Sequence, residues 1–175
     1  MKTKTGKNIS LLLALMAFLP CCIQGMPCSA SDAVPLPVFP QASQAKPTPP
    51  EQRRAERISE LVQRENPRLR RDGCLATQAF MRAKRMSMAG YFAHEDPRTG
   101  KNPVWKVVKI CVQAKRPWTK APAAENLAQG IDTPENIHSA LMESPSHRKN
   151  ILDPRFNHVG VGCYGEICVE LFGGY

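Results

Sequence analysis

Apolar positions along the chain recur first at helical and then at strand spacing. Ile58, Leu61 and Val62 mark one face of an amphipathic helix that Pro67 ends. Leu75, Ala79, Ala83, Met86 and Ala89 repeat every three or four positions and give a second helix, stopped by Gly90; its methionines are core filler rather than a ligand set. Asn102-Pro103 reads as a cap with proline at the first helical position, and Val104, Val107, Val108 and Cys111 then share a face. Asp132-Thr133-Pro134-Glu135 opens a fourth helix in the same way, with Ile137, Ala140 and Leu141 turned inward, and Ser144-Pro145 starts a short fifth.

After this the period falls to two. Val159, Val161 and Cys163 alternate with Gly160 and Gly162, and Cys168-Val169-Glu170-Leu171-Phe172 follows, so two strands flank Tyr164-Gly165-Glu166-Ile167. Glycine at the first central position suits a type II′ turn with Gly165-Glu166 at its tip. Tyr164 and Ile167 then close the turn, and Cys163 and Cys168 form the next, closely spaced pair, at about 4.5 Å between Cα atoms. That is within bridging range, and a Cys163–Cys168 disulfide is expected. Helices flanking a small antiparallel sheet make the fold α+β, layered helix, sheet, helix.

The remaining chain sets compartment and boundaries. The 175 residues are 42% apolar, enough for one domain. Residues 1–30 carry Lys2, Lys4 and Lys7, an apolar run from Ile9 to Leu19, then small residues, which reads as a signal peptide. The run is about half of what a membrane span needs, and no later stretch is long enough to be a transmembrane segment. Removal is expected, leaving a secreted or periplasmic protein; lipoprotein anchoring through Cys21 or Cys22 is the weaker alternative, since Phe18 and Pro20 are poor neighbours for it. Residues 31–50 are rich in proline and form a stiff linker, so the folded domain is expected over 51–175. Cys21, Cys22 and Cys28 leave with the leader, and the even set Cys74, Cys111, Cys163 and Cys168 suits an oxidising compartment. By arithmetic alone Cys74 pairs with Cys111; a buried thiol at Cys111 is the alternative.

Of the formal charge of +9, the acid-free leader contributes three. The rest is interleaved with acids, as in Glu51-Gln52-Arg53-Arg54-Ala55-Glu56-Arg57, apart from a cluster at Arg68, Arg70 and Arg71. Without an aromatic-rich basic platform this is a solvated surface and not a nucleic-acid interface.

Candidate chemistry rests on histidine and glutamate. His147 falls in the first turn of the fifth helix, where the dipole disfavours the imidazolium and favours the neutral ring a metal ion requires. His94 lies in the loop Gly90-Tyr91-Phe92-Ala93-His94-Glu95-Asp96-Pro97 after the second helix. Glu125 is an acid inside an apolar, small-residue stretch and needs a cation or donor beside it. His138 and His158 read as structural. HExxH, GxSxG, a P-loop and a dinucleotide fingerprint are all missing from the sequence, which removes conventional hydrolase and kinase readings.

Four ordered motifs carry a resemblance: Gly90-Tyr91-Phe92-Ala93-His94 with Asp96-Pro97; Ala124-Glu125-Asn126-Leu127-Ala128; Glu143-Ser144-Pro145-Ser146-His147-Arg148-Lys149-Asn150-Ile151-Leu152; and Phe156-Asn157-His158-Val159-Gly160-Val161-Gly162. Together they resemble the CAP superfamily, the cysteine-rich secretory protein, antigen and pathogenesis-related group, in its bacterial SCP-like branch. The resemblance implies a three-layer α-β-α sandwich and a cleft lined by two histidines and two glutamates. It implies that His94 and His147 hold a divalent cation, often zinc, with Glu125 beside them. Ala124 stands where the family has glycine, Leu141 where it has tryptophan, and Ser144 where its second glutamate lies. Glu143 is one step short of that position, and one residue turns a helical side chain by about 100°. The implied site is therefore His94, Glu125 and His147 completed by water, with Glu143 and Ser144 at its margin.

The resulting expectation is an exported monomer whose cleft binds a cation and a small apolar, lipid or envelope-derived ligand, and a binding module rather than an enzyme. Two alternatives use the same residues: a zinc-assisted, peptidase-like hydrolase with Glu125 as general base, and a purely structural secreted module.

Overall fold

A computed structural model describes residues 46–113, 121–130 and 133–175. The leader and most of the proline-rich linker lie outside the described residues. Helix α1 spans Pro49–Glu65, α2 Gly73–Ala89, α3 Val104–Gln113, α4 Pro134–Glu143 and α5 Pro145–Leu152; strands are β1 Arg70–Arg71, β2 Ala123–Gln129, β3 His158–Tyr164 and β4 Ile167–Gly173. All five helices fall where the periodicity places them.

The start of α1 differs slightly from the expected boundary at Glu51. Pro49 and Pro50 of the linker are the first two helical residues, where a missing N–H costs nothing, behind a capping box between Thr48 and Glu51. Helix α2 starts at the N-cap Asp72, whose carboxylate accepts from Leu75 N at 3.0 Å, and ends at Gly90 in the left-handed region, with φ of +66°. Thr133 caps α4, accepting from Asn136 N.

The four strands lie in the order β1-β3-β4-β2. β3 and β4 form the expected antiparallel hairpin, with Tyr164 opposite Ile167, Cys163 opposite Cys168 and Gly165 at a φ of +56°. β2 pairs antiparallel with β4 over its whole length, and β1 adds a two-residue parallel strand on β3. The sheet is thus mixed rather than purely antiparallel, with two strands beyond the hairpin.

Alternation along the strands sends two cores to opposite faces. Val159, Val161, Cys163, Cys168 and Phe172 pack with Ile58 and Val62 of α1, Ile137 and Leu141 of α4 and Ile151 of α5. Leu127, Ile167, Val169 and Leu171 pack with Leu75, Ala79, Ala83 and Met86 of α2 and Val104, Val108 and Cys111 of α3. Each fully buried large side chain, such as Phe172 or Ile58, contributes about 1.5–3 kcal/mol. Gly160 and Gly162 explain the valine–glycine alternation of β3. A Cβ on Gly160 would come within 2.2 Å of Ala76 N, and one on Gly162 within 2.1 Å of Phe80 N, so α2 lies directly on this strand.

Both disulfides are formed. Cys163–Cys168 bridges the hairpin across a Cα separation of 4.1 Å, as its register requires, and Cys74–Cys111 ties α2 to α3 across 5.6 Å. Cys111 is therefore half of a bridge and not a free core thiol. No described helix is long and apolar enough to cross a membrane.

Candidate functional site

The site is built around the edge strand β2, where two adjacent residues point to opposite faces of the sheet. Glu125, 5% exposed, faces α2; Asn126, fully buried, faces α5. Each braces one of the predicted histidines.

On the α2 side Glu125 uses both carboxylate oxygens. Oε2 accepts from Arg82 Nε at 3.0 Å, and Oε1 lies 3.0 Å from His94 Nδ1. Arg82 of α2 is 4% exposed. Its other nitrogens donate to Tyr91 OH at 2.8 Å, to the Ala93 carbonyl at 2.7 Å and to the His94 carbonyl at 2.9 Å. One buried guanidinium thus fastens the acid and the loop that presents the histidine, and this is the cation Glu125 was expected to need. Past His94, Asp96 closes the loop: it bridges backbone to backbone with Lys101, and its carboxylate accepts from Arg98 Nε and Nη2.

On the α5 side Asn126 is a three-way joint. Its Nδ2 donates to the His147 carbonyl at 3.2 Å and to Glu170 Oε2 at 2.9 Å, and its Oδ1 accepts from Asn150 Nδ2 at 2.8 Å. The first turn of α5 is thereby pinned to β2 through the backbone of His147. Burial holds the His147 imidazole below its ordinary pKa, and the nearby His94 lowers it further, so His147 is neutral at neutral pH. Glu170, on β4 opposite Asn126, is 1% exposed; its Oε1 has no hydrogen-bond partner, and burial pushes the carboxyl up to about 7.

The predicted residues are placed unequally. His94 and Glu125 meet directly, and His147 is near enough to His94 for the two rings to be coupled electrostatically. Glu143 is exposed and accepts from Ser139 Oγ on its own helix at 3.2 Å, and Ser144 Oγ lies 3.2 Å from Ser146 Oγ; neither touches His94 or Glu125 among the described contacts. His138 is buried against α1, 3.8 Å from Glu65, and His158 stacks on Tyr175 at 4.3 Å, so both serve structure.

Arg82, Asn126 and Glu170 were missed as site residues. Arg82 did carry a signal: it stands seven residues after Leu75, inside the apolar stripe of α2, where a charge demands a buried partner. Glu170 gave a similar one as an acid within the apolar run of β4.

The donor set suits a cation held by imidazoles. A neutral His94 that donates Nδ1–H to the Glu125 carboxylate presents its Nε2 as a ligand atom, the carboxylate–histidine arrangement that orients metal ligands, and His147 adds a second ring. Among the described residues, the one group of three candidate ligand atoms within 4.8 Å of each other is Asp72, Cys74 and Cys111, whose sulfurs are joined to each other. Glu125 therefore supports His94 and does not complete a compact three-ligand set with the two histidines.

The uncharacterised Bacillus subtilis protein YkwD is 37% identical over 91 residues, covering 52% of this chain and 33% of YkwD; the chain spans about a third of that relative's length. The fold matches an extracellular SCP-domain protein of Bacillus anthracis at a TM-score of 0.60 and 24% identity, covering 74% of this chain and 44% of that one. An outer surface protein of Borrelia burgdorferi matches at a TM-score of 0.55 and 23% identity over 74% of this chain and 96% of its own. The family model for the cysteine-rich secretory protein family, CAP, matches residues 63–166, more than half of the sequence, and the chain belongs to that family.

Proposed function

We propose that the protein is exported and that its cleft binds a divalent cation, zinc fitting best, through His94 and His147, as part of a binding site for a small apolar or envelope-derived ligand. The observation that carries this reading is the Glu125–His94 contact at 3.0 Å, because a buried carboxylate on Nδ1 anchors a half-exposed imidazole and leaves its Nε2 as the ligand atom of a neutral ring. Phe92, 42% exposed, belongs to the same loop two residues before His94 and is an apolar side chain available to a ligand. Export is supported by the leader-like first 30 residues, by the two disulfides and by the extracellular and outer-surface relatives.

The same geometry disfavours hydrolysis with Glu125 as general base. Both of its oxygens already accept a hydrogen bond, one from a buried guanidinium, and its side chain is only 1% exposed, so it is held away from the solvent-filled side where a water would have to be activated. Its role is to orient His94.

The test is thermal melting of the full chain with zinc and with a chelator. Zinc at a hundred times its Kd raises stability by about 2.7 kcal/mol. The shift disappears in His94→Ala and in His147→Ala, while both variants keep the fold by circular dichroism. A melting temperature indifferent to zinc, or a shift that survives both substitutions, rejects the cation site and leaves a structural module.

A further inference from the structure

The sheet has an unfinished edge on the side away from β2. β1 covers only His158 and Val159, and among the described residues no strand pairs with β3 beyond them. Where the backbone groups on this side go can be followed one by one. Asp72 N donates to the Val159 carbonyl at 2.9 Å, which shows that odd-numbered residues of β3 turn their polar groups away from β4. At the far end the turn is satisfied by α1: Gly165 N donates to Glu51 Oε1 at 3.0 Å, and Arg54 Nη1 donates to the Gly165 carbonyl at 2.7 Å. Between these ends the N–H and C=O of Val161 and Cys163 face outward with no partner among the described residues. Both residues are at most 4% exposed, so bulk water scarcely reaches them, and unpaired groups at such depth are costly.

They lie on the floor of a groove of about 700 Å³ between α1 and α2. The α2 wall presents Ala76, Phe80 and Met81; the α1 wall presents Gln52, Ala55 and Glu56. Small residues leave room beside the strand, and the open stretch Gly160–Tyr164 has the length of roughly five extended residues, about 16 Å. The charged lining is mixed, with Lys46 and Arg71 beside Glu51, Glu56 and Asp72; on the α1 wall the Glu56 carboxylate accepts from Gln52 Nε2 and makes no ion pair among the described residues.

We propose that this groove binds an extended peptide segment of another protein by strand addition. The guest backbone pairs with Val161 and Cys163, its apolar side chains rest on Phe80 and Met81, and the alternate, basic side chains face Glu56. The site is independent of the histidine cleft, which lies at the β2 edge.

The ¹⁵N-labelled full chain is titrated with a heptapeptide of alternating lysine and valine, and with two versions N-methylated at the lysines or at the valines. Binding shifts the amide resonances of Val161 and Cys163 and slows their hydrogen exchange about tenfold. One methylated peptide loses binding and the other keeps it, because alternate residues of a strand face opposite edges. Thr77→Trp, an exposed change on the α2 wall, blocks binding without lowering the melting temperature. No amide shift at about 1 mM peptide, a Kd above the weakest useful range, overturns the proposal. Equal binding of the two methylated peptides overturns it too, since that is side-chain adhesion. Concentration-dependent self-association that protects the same amides without peptide overturns it in favour of a second copy.

Discussion

At the scale of single residues the candidate site is a set of buried polar groups that hold one another in place. Arg82 and Glu125 are both nearly inaccessible, with side-chain exposures of 3% and 1%, so removing either takes from the other its oppositely charged buried partner. Arg82→Met is expected to cost about 3–5 kcal/mol and to free the loop carrying His94, read as a lowered melting temperature and weaker zinc binding; a variant that melts like the parent contradicts the role given to the guanidinium. Glu170 makes a prediction in pH. Its folded pKa lies near 7, above an ordinary value of 4.5. A raised carboxyl pKa means that folding favours the protonated form. That contribution is complete below about 4.5 and is lost as pH rises to about 7, on the order of 3 kcal/mol in all. Glu170→Gln keeps the shape and cannot ionise. Unfolding in urea at pH 5 and pH 8 is expected to show parent and variant similar at the lower pH and the variant more stable at the higher. Equal stabilities at pH 8 rule out the burial of an ionising group there.

At the scale of elements, the parts of the fold visible in the sequence are those set by local periodicity. Five helices, the caps at Asn102 and Thr133, the helix start at Ser144-Pro145, the hairpin and the Cys163–Cys168 bridge all follow from spacing within a few residues. β2 does not. Its sequence, AAENLAQ, lacks the β-branched and aromatic residues of a typical strand, and it is extended because β4, about 44 residues later, pairs with it throughout. Glu125 reads locally as a buried acid needing a partner and Arg82 as a charge in an apolar stripe needing one, but that the two meet depends on the packing of α2 against β2. The glycines of β3 are intermediate: their alternation was legible, but their reason, the backbone of α2 at 2.1–2.2 Å from any added Cβ, is a tertiary fact. Gly162→Ala forces α2 off the sheet, because the obstructing atoms belong to the Phe80 main chain and cannot rotate away. A loss of about 3 kcal/mol or more is expected in chemical denaturation, beyond ordinary overpacking, and a loss below 1 kcal/mol shows that the helix sits further from the strand than described.

At the scale of the whole molecule, the two disulfides act on unequal lengths of chain although each packs against the core. Cys74–Cys111 spans 37 residues and joins two helices of the same core layer; Cys163–Cys168 spans five and joins strands that the hairpin already holds together. If a bridge stabilises mainly by restricting the unfolded chain, the longer loop contributes about 4 kcal/mol and the shorter about 2 kcal/mol. Packing reinforces the difference. α3 reaches the sheet through one short apolar face, Val104, Val108, Cys111 and Val112, so losing its tie to α2 loosens it, whereas β3 and β4 keep their ladder without a bridge. The double variant Cys74→Ala/Cys111→Ala is therefore expected to lose roughly twice the stability of Cys163→Ala/Cys168→Ala when melting temperatures are compared at one pH. Hydrogen exchange separates two causes of that loss. If α3 amides alone exchange fast in the first variant, the bridge holds one helix on a layer that survives without it; if the whole α2–α3 layer exchanges together, that layer is a single cooperative unit. Equal losses from the two double variants overturn the ranking, and mean that strain or native-state packing, rather than chain restriction, sets what each bridge contributes.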